Sequence, residues 1–170
     1  MDSEILIDKI WNGTISFTEI EDYFNPIKGD KSDFVNKLLK RGLNEKNGSV
    51  IDFLIHSIFI NGKAKIYNDI LCQLSDVRQE WLYKQEDIAT LLGEIGDKSS
   101  IPHLQKLAID YPMSDLHSIP LKAMWSLRKI GGEKSIEALN ELSNSKEDRK
   151  KAIALDQIQN IKSKTGYNKL

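Results

Sequence analysis

The side chains with obvious chemical potential are few: His56, His103, His117 and Cys72. His103 and His117 flank Tyr111-Pro112, with Asp110 and Asp115 nearby, a set of nitrogens and carboxylates able in principle to ligate a metal. Zinc requires three or four fixed ligands at short range, and this spacing supplies no such pattern, so no metal site is expected and solvated helix ends are. His56 lies inside the apolar stretch DFLIHSIFI and reads as a packed histidine. Cys72 is the single cysteine, which excludes an intrachain disulfide and a thiolate metal site and marks a small buried hydrophobe. Gly131-Gly132-Glu133-Lys134-Ser135 superficially resembles a phosphate loop, but the Gly-Lys-Ser adjacency and the preceding strand are both missing. General acid–base work needs paired carboxylates in a dry pocket, which a small helical array rarely offers. No catalytic residue and no cofactor is expected.

The elements that position these residues are helices. Isoleucine (22) and leucine (19) far outnumber valine (3), and apolar residues recur at three and four rather than at two. Caps and breakers divide the chain into about ten helices. The first runs from Glu4 to Asn12; the second starts at Ser16, which forms a capping box with Glu19 and ends at Asn25-Pro26. The third covers Ser32 to Arg41 with Gly42 as its stop, the fourth Val50 to Ile60, the fifth Ala64 to Leu74. A long sixth helix is expected from Val77 through the LGEIGD turn. The seventh to tenth are expected over Ile101 to Tyr111, from Asp115 or Ser118 to Ile130, Lys134 to Ser143, and Glu147 to Ile161. The tail beyond Lys162 is polar and should fray.

Two of these helical pairs repeat one another. IATLLGEIGDKSSIPHLQKL (Ile88 to Leu107) aligns with AMWSLRKIGGEKSIEALNEL (Ala123 to Leu142) at a spacing of 35 residues. A period of that length marks a stacked repeat, in which no unit buries its apolar face alone. Gly96 and Gly131 stop the first helix of each pair, Ser100 and Ser135 are expected to cap the second, and Pro102 fits a first turn. The segment LGEIGDKSSIPHLQKL resembles the HEAT-like repeats of the phycobilisome lyase type at Leu92, Gly93, Ile95, Gly96, Asp97, Pro102, Leu104 and Leu107. The second copy departs from that pattern, with Gly132 for the turn aspartate and Arg128 for the glycine after leucine. The resemblance covers about a third of the chain and implies a scaffold rather than a lyase activity. The expected fold is all-α: a short α-solenoid of about five antiparallel helix pairs in one domain. Residues 1–75 are expected to be degenerate or capping helices, 76–162 the repeats and 163–170 a frayed tail.

Composition narrows the function. Charges are abundant but balanced, 24 basic against 25 acidic, and lysine outnumbers arginine 20 to 4. That argues against general attraction to nucleic acid or anionic membrane, and against bidentate phosphate recognition. No apolar run approaches the length of a membrane span, and the N-terminus MDSEILIDKIW is acidic where a signal peptide would be basic. A cytoplasmic protein, monomeric when free, is expected.

Two features point to a protein partner. Trp125 lies about 200° around its helix from the buried-face residue Leu127, and tryptophan is enriched among binding hot spots; packing against helix six or the last helix is the alternative. Trp81 and Tyr83 carry the same ambiguity. The second feature is charge asymmetry: residues 1–33 carry a net −5 and residues 146–170 a net +4. An acidic end bearing Glu19, Asp22 and Tyr23 would suit a basic partner. The repeat resemblance further implies that the second helix of each pair lines the concave face, exposing His103, Lys106 and Asp110 on one and Glu137, Asn140 and Glu141 on the other.

The favoured reading is a bacterial immunity protein that neutralises a cognate toxin, such as a basic toxin domain, by covering its active surface. An adaptor or regulatory scaffold for another enzyme stands beside it. A HEAT-like nucleic-acid-binding or base-excision enzyme is the remote third, since it would need a basic concave stripe and an aromatic base pocket.

Overall fold

A computed structural model describes residues 3–25, 27, 29–113 and 119–165. Asp2, Pro26, Lys28, Asp115, His117 and the tail 166–170 lie outside them, as do the side chains of Asn61 and Thr165, so the expectations resting on these positions find no counterpart below. The described residues form helices and turns, with no strand among them. They divide into two compact units: Met1–Ile70 with Val77–Lys84, and Leu71–Asp76 with Gln85–Leu170.

The first unit contains α1 (Ser3–Trp11), α2 (Phe17–Tyr23), α3 (Ser32–Asn44), α4 (Gly48–Asn61) and a 3-10 turn, Lys65–Tyr67. α3 packs along α4, and α1 and α2 also rest on α4. Helical spacing therefore gathers Leu6, Ile10, Ile20, Val35, Leu39, Ile51, Leu54 and Ile58 into one buried seam. α2 opens as expected: Ser16 Oγ accepts from the Glu19 backbone N–H, and Glu19 returns a bond to the Ser16 N–H.

Two expectations fail here for a packing reason. Gly42 does not stop α3, which runs on to Asn44. Gly42 is buried in the helix, and a methyl group there would lie 3.1 Å from Ile51 Cγ1, so the residue is a point of close helix approach. The reversal is made later, by Lys46 in the left-handed region (φ 54°) and by Asn47, whose side chain accepts from the Val50 N–H. Nor does the sixth helix begin at Val77. Residues 77–84 are turns, and their backbone lies on the start of α4: a Cβ at Gly48 would fall 1.7 Å from the Trp81 carbonyl oxygen. Lys84 anchors this loop to Asp52 at 2.8 Å.

The second unit holds the repeats. It takes the Leu71–Ser75 part of α5 (Asn68–Ser75), then α6 (Gln85–Ile95), a 3-10 turn (Lys98–Ser100), α7 (Ile101–Asp110), α8 (Ile119–Ile130), α9 (Gly132–Leu142) and α10 (Asp148–Thr165). α8 packs between α6 and α10, and α7 packs on α9, which makes two layers of helices, α6–α8–α10 and α7–α9. Ile88, Leu92, Leu104, Leu107, Ala123, Leu127, Leu139, Leu142 and Ile158 fill the space between the layers. This is the shared seam that a stacked repeat requires.

The repeat turns are built differently in the two copies. Gly96 (φ 73°) and Gly131 (φ 69°) take the left-handed conformation expected of them. In the first copy Asp97 caps the following turn by accepting from the Ser99 N–H, and Ser100 Oγ donates to the Asp97 carbonyl instead of capping α7. In the second copy α9 begins at once at Gly132, so Ser135 falls inside the helix and caps nothing. Its hydroxyl is buried with no hydrogen-bond partner among the described residues.

One contact sets the α6–α8 distance. At Gly93 a Cβ would meet Ser126 Oγ at 2.4 Å, its Cβ at 2.5 Å and its Cα at 2.8 Å. The bare backbone of α6 lets Ser126 Oγ donate to the Ala89 carbonyl at 2.7 Å.

Candidate partner-binding surfaces

The clearest concavity in the second unit lies on the outer side of the α6–α8–α10 layer. It is an open groove of about 590 Å³ lined by Thr90 and Glu94 from α6, Lys122, Trp125, Arg128 and Lys129 from α8, and Ile161 and Lys164 from α10. Repeat-equivalent positions face one another across it: Thr90 and Trp125 are 35 residues apart, as are Glu94 and Lys129. Trp125 is 41% exposed, so it is not absorbed into packing against α6 or α10. The Lys122 ammonium sits over the Trp125 ring, 5.3 Å from its centroid. Lys129 is ion-paired with Glu94. Among the described residues the groove thus carries four cations against one carboxylate.

The signal for this cluster was present in the sequence. Lys122, Trp125, Arg128 and Lys129 are spaced three, three and four residues from one another or from Trp125, which puts them on one face of a helix. Reading Trp125 alone, without its helical neighbours, hid the basic character of its surroundings.

The α7–α9 layer presents the other residues expected to meet a partner. His103 Nδ1 lies 3.0 Å from Asp76 Oδ2, and Lys106 Nζ donates to Asp76 Oδ1 at 3.2 Å. These two face the end of α5 and form a local cluster. Glu141 accepts from Gln105 Nε2 at 2.6 Å, and Glu137 and Glu141 border a smaller groove of about 300 Å³ with Lys98 and Lys134. Asn140 and Asp110 are exposed. This face is accessible, but its charges are of both signs and largely interlinked.

In the first unit, Glu19 does structural work. Hydrogen bonding to Lys9, then to the Ser16 backbone and hydroxyl, lowers its pKa to about 2. Tyr23 is half-buried, with its ring edge-on to Phe24 and tilted against Phe34 and its hydroxyl 3.0 Å from Ser3 Oγ. Asp22 is exposed beside Glu21 on α2, and Glu4, Asp8, Asp30 and Asp33 are exposed too. Hydrogen bonding to Ser32 holds Asp30 below the ordinary carboxylate range.

The remaining candidates are structural in setting. His56 packs edge-on against Phe17, with ring centroids 5.3 Å apart. Cys72 is buried. Trp81 donates its indole N–H to Gln79 Oε1 at 2.6 Å, and Tyr83 is 80% exposed on the 77–84 loop. Among the described residues no group of three or more His, Cys, Asp or Glu could hold a metal. No described helix is long and apolar enough to cross a membrane.

Residues 120–145, which span α8 and α9, match the family model of the PBS lyase HEAT-like repeat. The match falls on the second copy of the pair, although the first copy holds more of the motif residues. The chain thus carries a HEAT-like helical repeat, and repeats of this kind commonly serve as scaffolds for protein interaction. No curated protein and no solved structure matches the chain.

Proposed function

We propose that this chain is a non-catalytic scaffold that works by docking against another protein. The observation that carries this reading is Trp125: a large aromatic side chain left 41% exposed in a groove whose walls are set by the repeat packing. Leaving two-fifths of the residue in water forgoes part of the stabilisation that burial would bring, on the order of 1 kcal/mol. A partner that covers it recovers that term, and rigid aromatic anchors in a pocket are where binding energy concentrates. The groove is open and its titratable groups are spread along helix faces, which suits recognition better than chemistry.

A narrower form of the same reading is an immunity protein that silences a basic toxin by covering its active surface. The exposed carboxylates Glu4, Asp8, Glu21, Asp22, Asp30 and Asp33 in the first unit support it. Such a surface speeds encounter with a cationic partner and makes the rate depend on salt. The reading as an adaptor for another enzyme uses the groove instead.

Co-expression with a toxin domain encoded beside this gene tests the narrower form, with Glu21→Lys/Asp22→Lys and Trp125→Ala as separate variants. Protection lost through the α2 charge reversal supports immunity. Protection absent with the wild-type chain removes it, and a partner captured through Trp125 alone leaves the adaptor.

A further inference from the structure

We propose that the α6–α8–α10 groove takes an acidic segment of a partner protein, anchored by one large apolar side chain against Trp125. The proposal rests on the scaffold reading above and adds the chemistry of the ligand. Three observations lead to it.

The first is charge. Lys122, Arg128, Lys129 and Lys164 border the groove, and its single carboxylate, Glu94, is engaged by Lys129. The excess is local, because the chain as a whole carries a net charge of −1. A ligand with two or three carboxylates would neutralise these cations, and one without them would leave them facing each other across a partly dehydrated groove. The second is the repeat register. Where the first copy has Gly93, pressed against Ser126, the second has Arg128, and this arginine borders the groove. Arginine offers a planar fork that binds a carboxylate through two parallel hydrogen bonds. The third is the apolar floor. Ile161 is almost wholly buried beneath the groove, and Trp125 stands at its side with Lys122 over the ring. Together they supply a single apolar anchor point, one indole beside one isoleucine.

That last point separates this occupant from a nucleic acid. Single-stranded nucleic acids bind grooves in which several aromatic rings stack successive bases along a continuous cationic track. Among the described residues that line the groove Trp125 is the one aromatic ring, so successive bases would find no second ring to stack on.

The test is a random 12-residue peptide display selection on the full-length chain, with Trp125→Ala as the counter-selected bait. Recovered peptides should share one Trp, Phe or Leu with at least two Asp or Glu close by. Fluorescence anisotropy on a recovered peptide should show about 30-fold weaker binding to Trp125→Ala, the effect of losing a hot-spot tryptophan. Lys122→Glu and Arg128→Glu should each weaken it about tenfold, with weakening also on raising salt from 50 to 500 mM. Circular dichroism confirms that each variant keeps its fold. Neutral or basic peptides, or none that depend on Trp125, would overturn the acidic ligand while leaving a docking scaffold that uses another face. Tighter binding of a 12-residue oligothymidylate than of any recovered peptide would overturn it in favour of nucleic acid. Self-association that disappears in Trp125→Ala would overturn it in favour of a second copy of this chain.

Discussion

Replacing Gly93 with alanine should destabilise the second unit, although helix propensity alone predicts the opposite. Alanine in a helix interior is favoured over glycine by about 1 kcal/mol. At this position, however, the added methyl would sit 2.4–2.8 Å from Oγ, Cβ and Cα of Ser126. Carbon pairs settle at roughly 3.5–4.0 Å, so α8 must retreat by about 1 Å, and rotating the serine cannot help because its Cα is among the clashing atoms. The retreat breaks the Ser126–Ala89 hydrogen bond (2.7 Å), worth about 1 kcal/mol. It also opens the Leu92–Leu127 seam, and overpacking of this kind costs about 1–3 kcal/mol. After the propensity gain the net loss is about 2 kcal/mol, which lowers the melting temperature by roughly 4–8 °C for a chain of this size. Gly96→Ala is the control: no atom lies within 4 Å of its Cβ, so only left-handed backbone strain applies, of about 1 kcal/mol. Ser126→Gly removes two of the three clashing atoms, and the Gly93→Ala/Ser126→Gly double variant should recover at least 1 kcal/mol relative to additivity. Urea and thermal melts followed by circular dichroism measure all four proteins. A Gly93→Ala chain as stable as wild type, or no coupling in the double variant, would refute the close-packed account of the repeat.

Other perturbations follow from the same structure. Glu19, held at a pKa of about 2 against an ordinary 4.5, contributes stability that is fully present above pH 4.5 and is lost as pH falls towards 2. Glu19→Gln should therefore flatten the stability–pH curve in that window and leave little pH dependence from this site above it, as acid titration of the melting temperature will show. Ser16→Ala removes the other half of the capping box and should cost about 1 kcal/mol in urea melts. Lys150, only 3% exposed, donates to the Tyr111 carbonyl at 3.0 Å and to Glu147 at 2.9 Å, while Glu147 accepts from the Met113 N–H. Lys150→Met should cost about 1–2 kcal/mol and raise hydrogen exchange at Met113, because the Tyr111 carbonyl loses its lysine donor and Glu147, which holds the Met113 N–H, loses its counter-ion. Trp125→Ala, at an exposed position, should change the melting temperature by less than about 2 °C.

Much of this fold can be read from the sequence, and the failures share a cause. Periodicity, the Ser16–Glu19 box and the Gly96 and Gly131 stops are local signals, and each produced the element expected of it. Val77–Lys84 misled because its backbone is drawn onto Gly48 of α4, and Gly42 because glycine has two uses that look alike in sequence. One is to reverse the chain, as Gly96 does; the other is to let a neighbour approach, as Gly42, Gly48 and Gly93 do. Only the tertiary partner (Ile51, Trp81 or Ser126) tells them apart. Ser135 misled for a related reason, since the second copy lacks the turn aspartate and its helix starts four residues earlier in the repeat register than α7 does. For the surfaces, the place of Trp125 in the repeat left exposure and packing both open. The basic groove around it required joining the helical spacing of α8 to residues of α6 and α10, which only the stacked layers bring together.

Site-specific photocrosslinking in the native cell tests the docking account most directly. A benzophenone amino acid placed at Lys122 or at Lys129, with Ile109 and Lys37 as exposed control positions, reports what touches each face. The account predicts one protein adduct, identified by mass spectrometry, that forms from the two groove positions, fails from the controls and disappears when Trp125→Ala is added. Adducts that form equally from all four positions, or only from the controls, would contradict it.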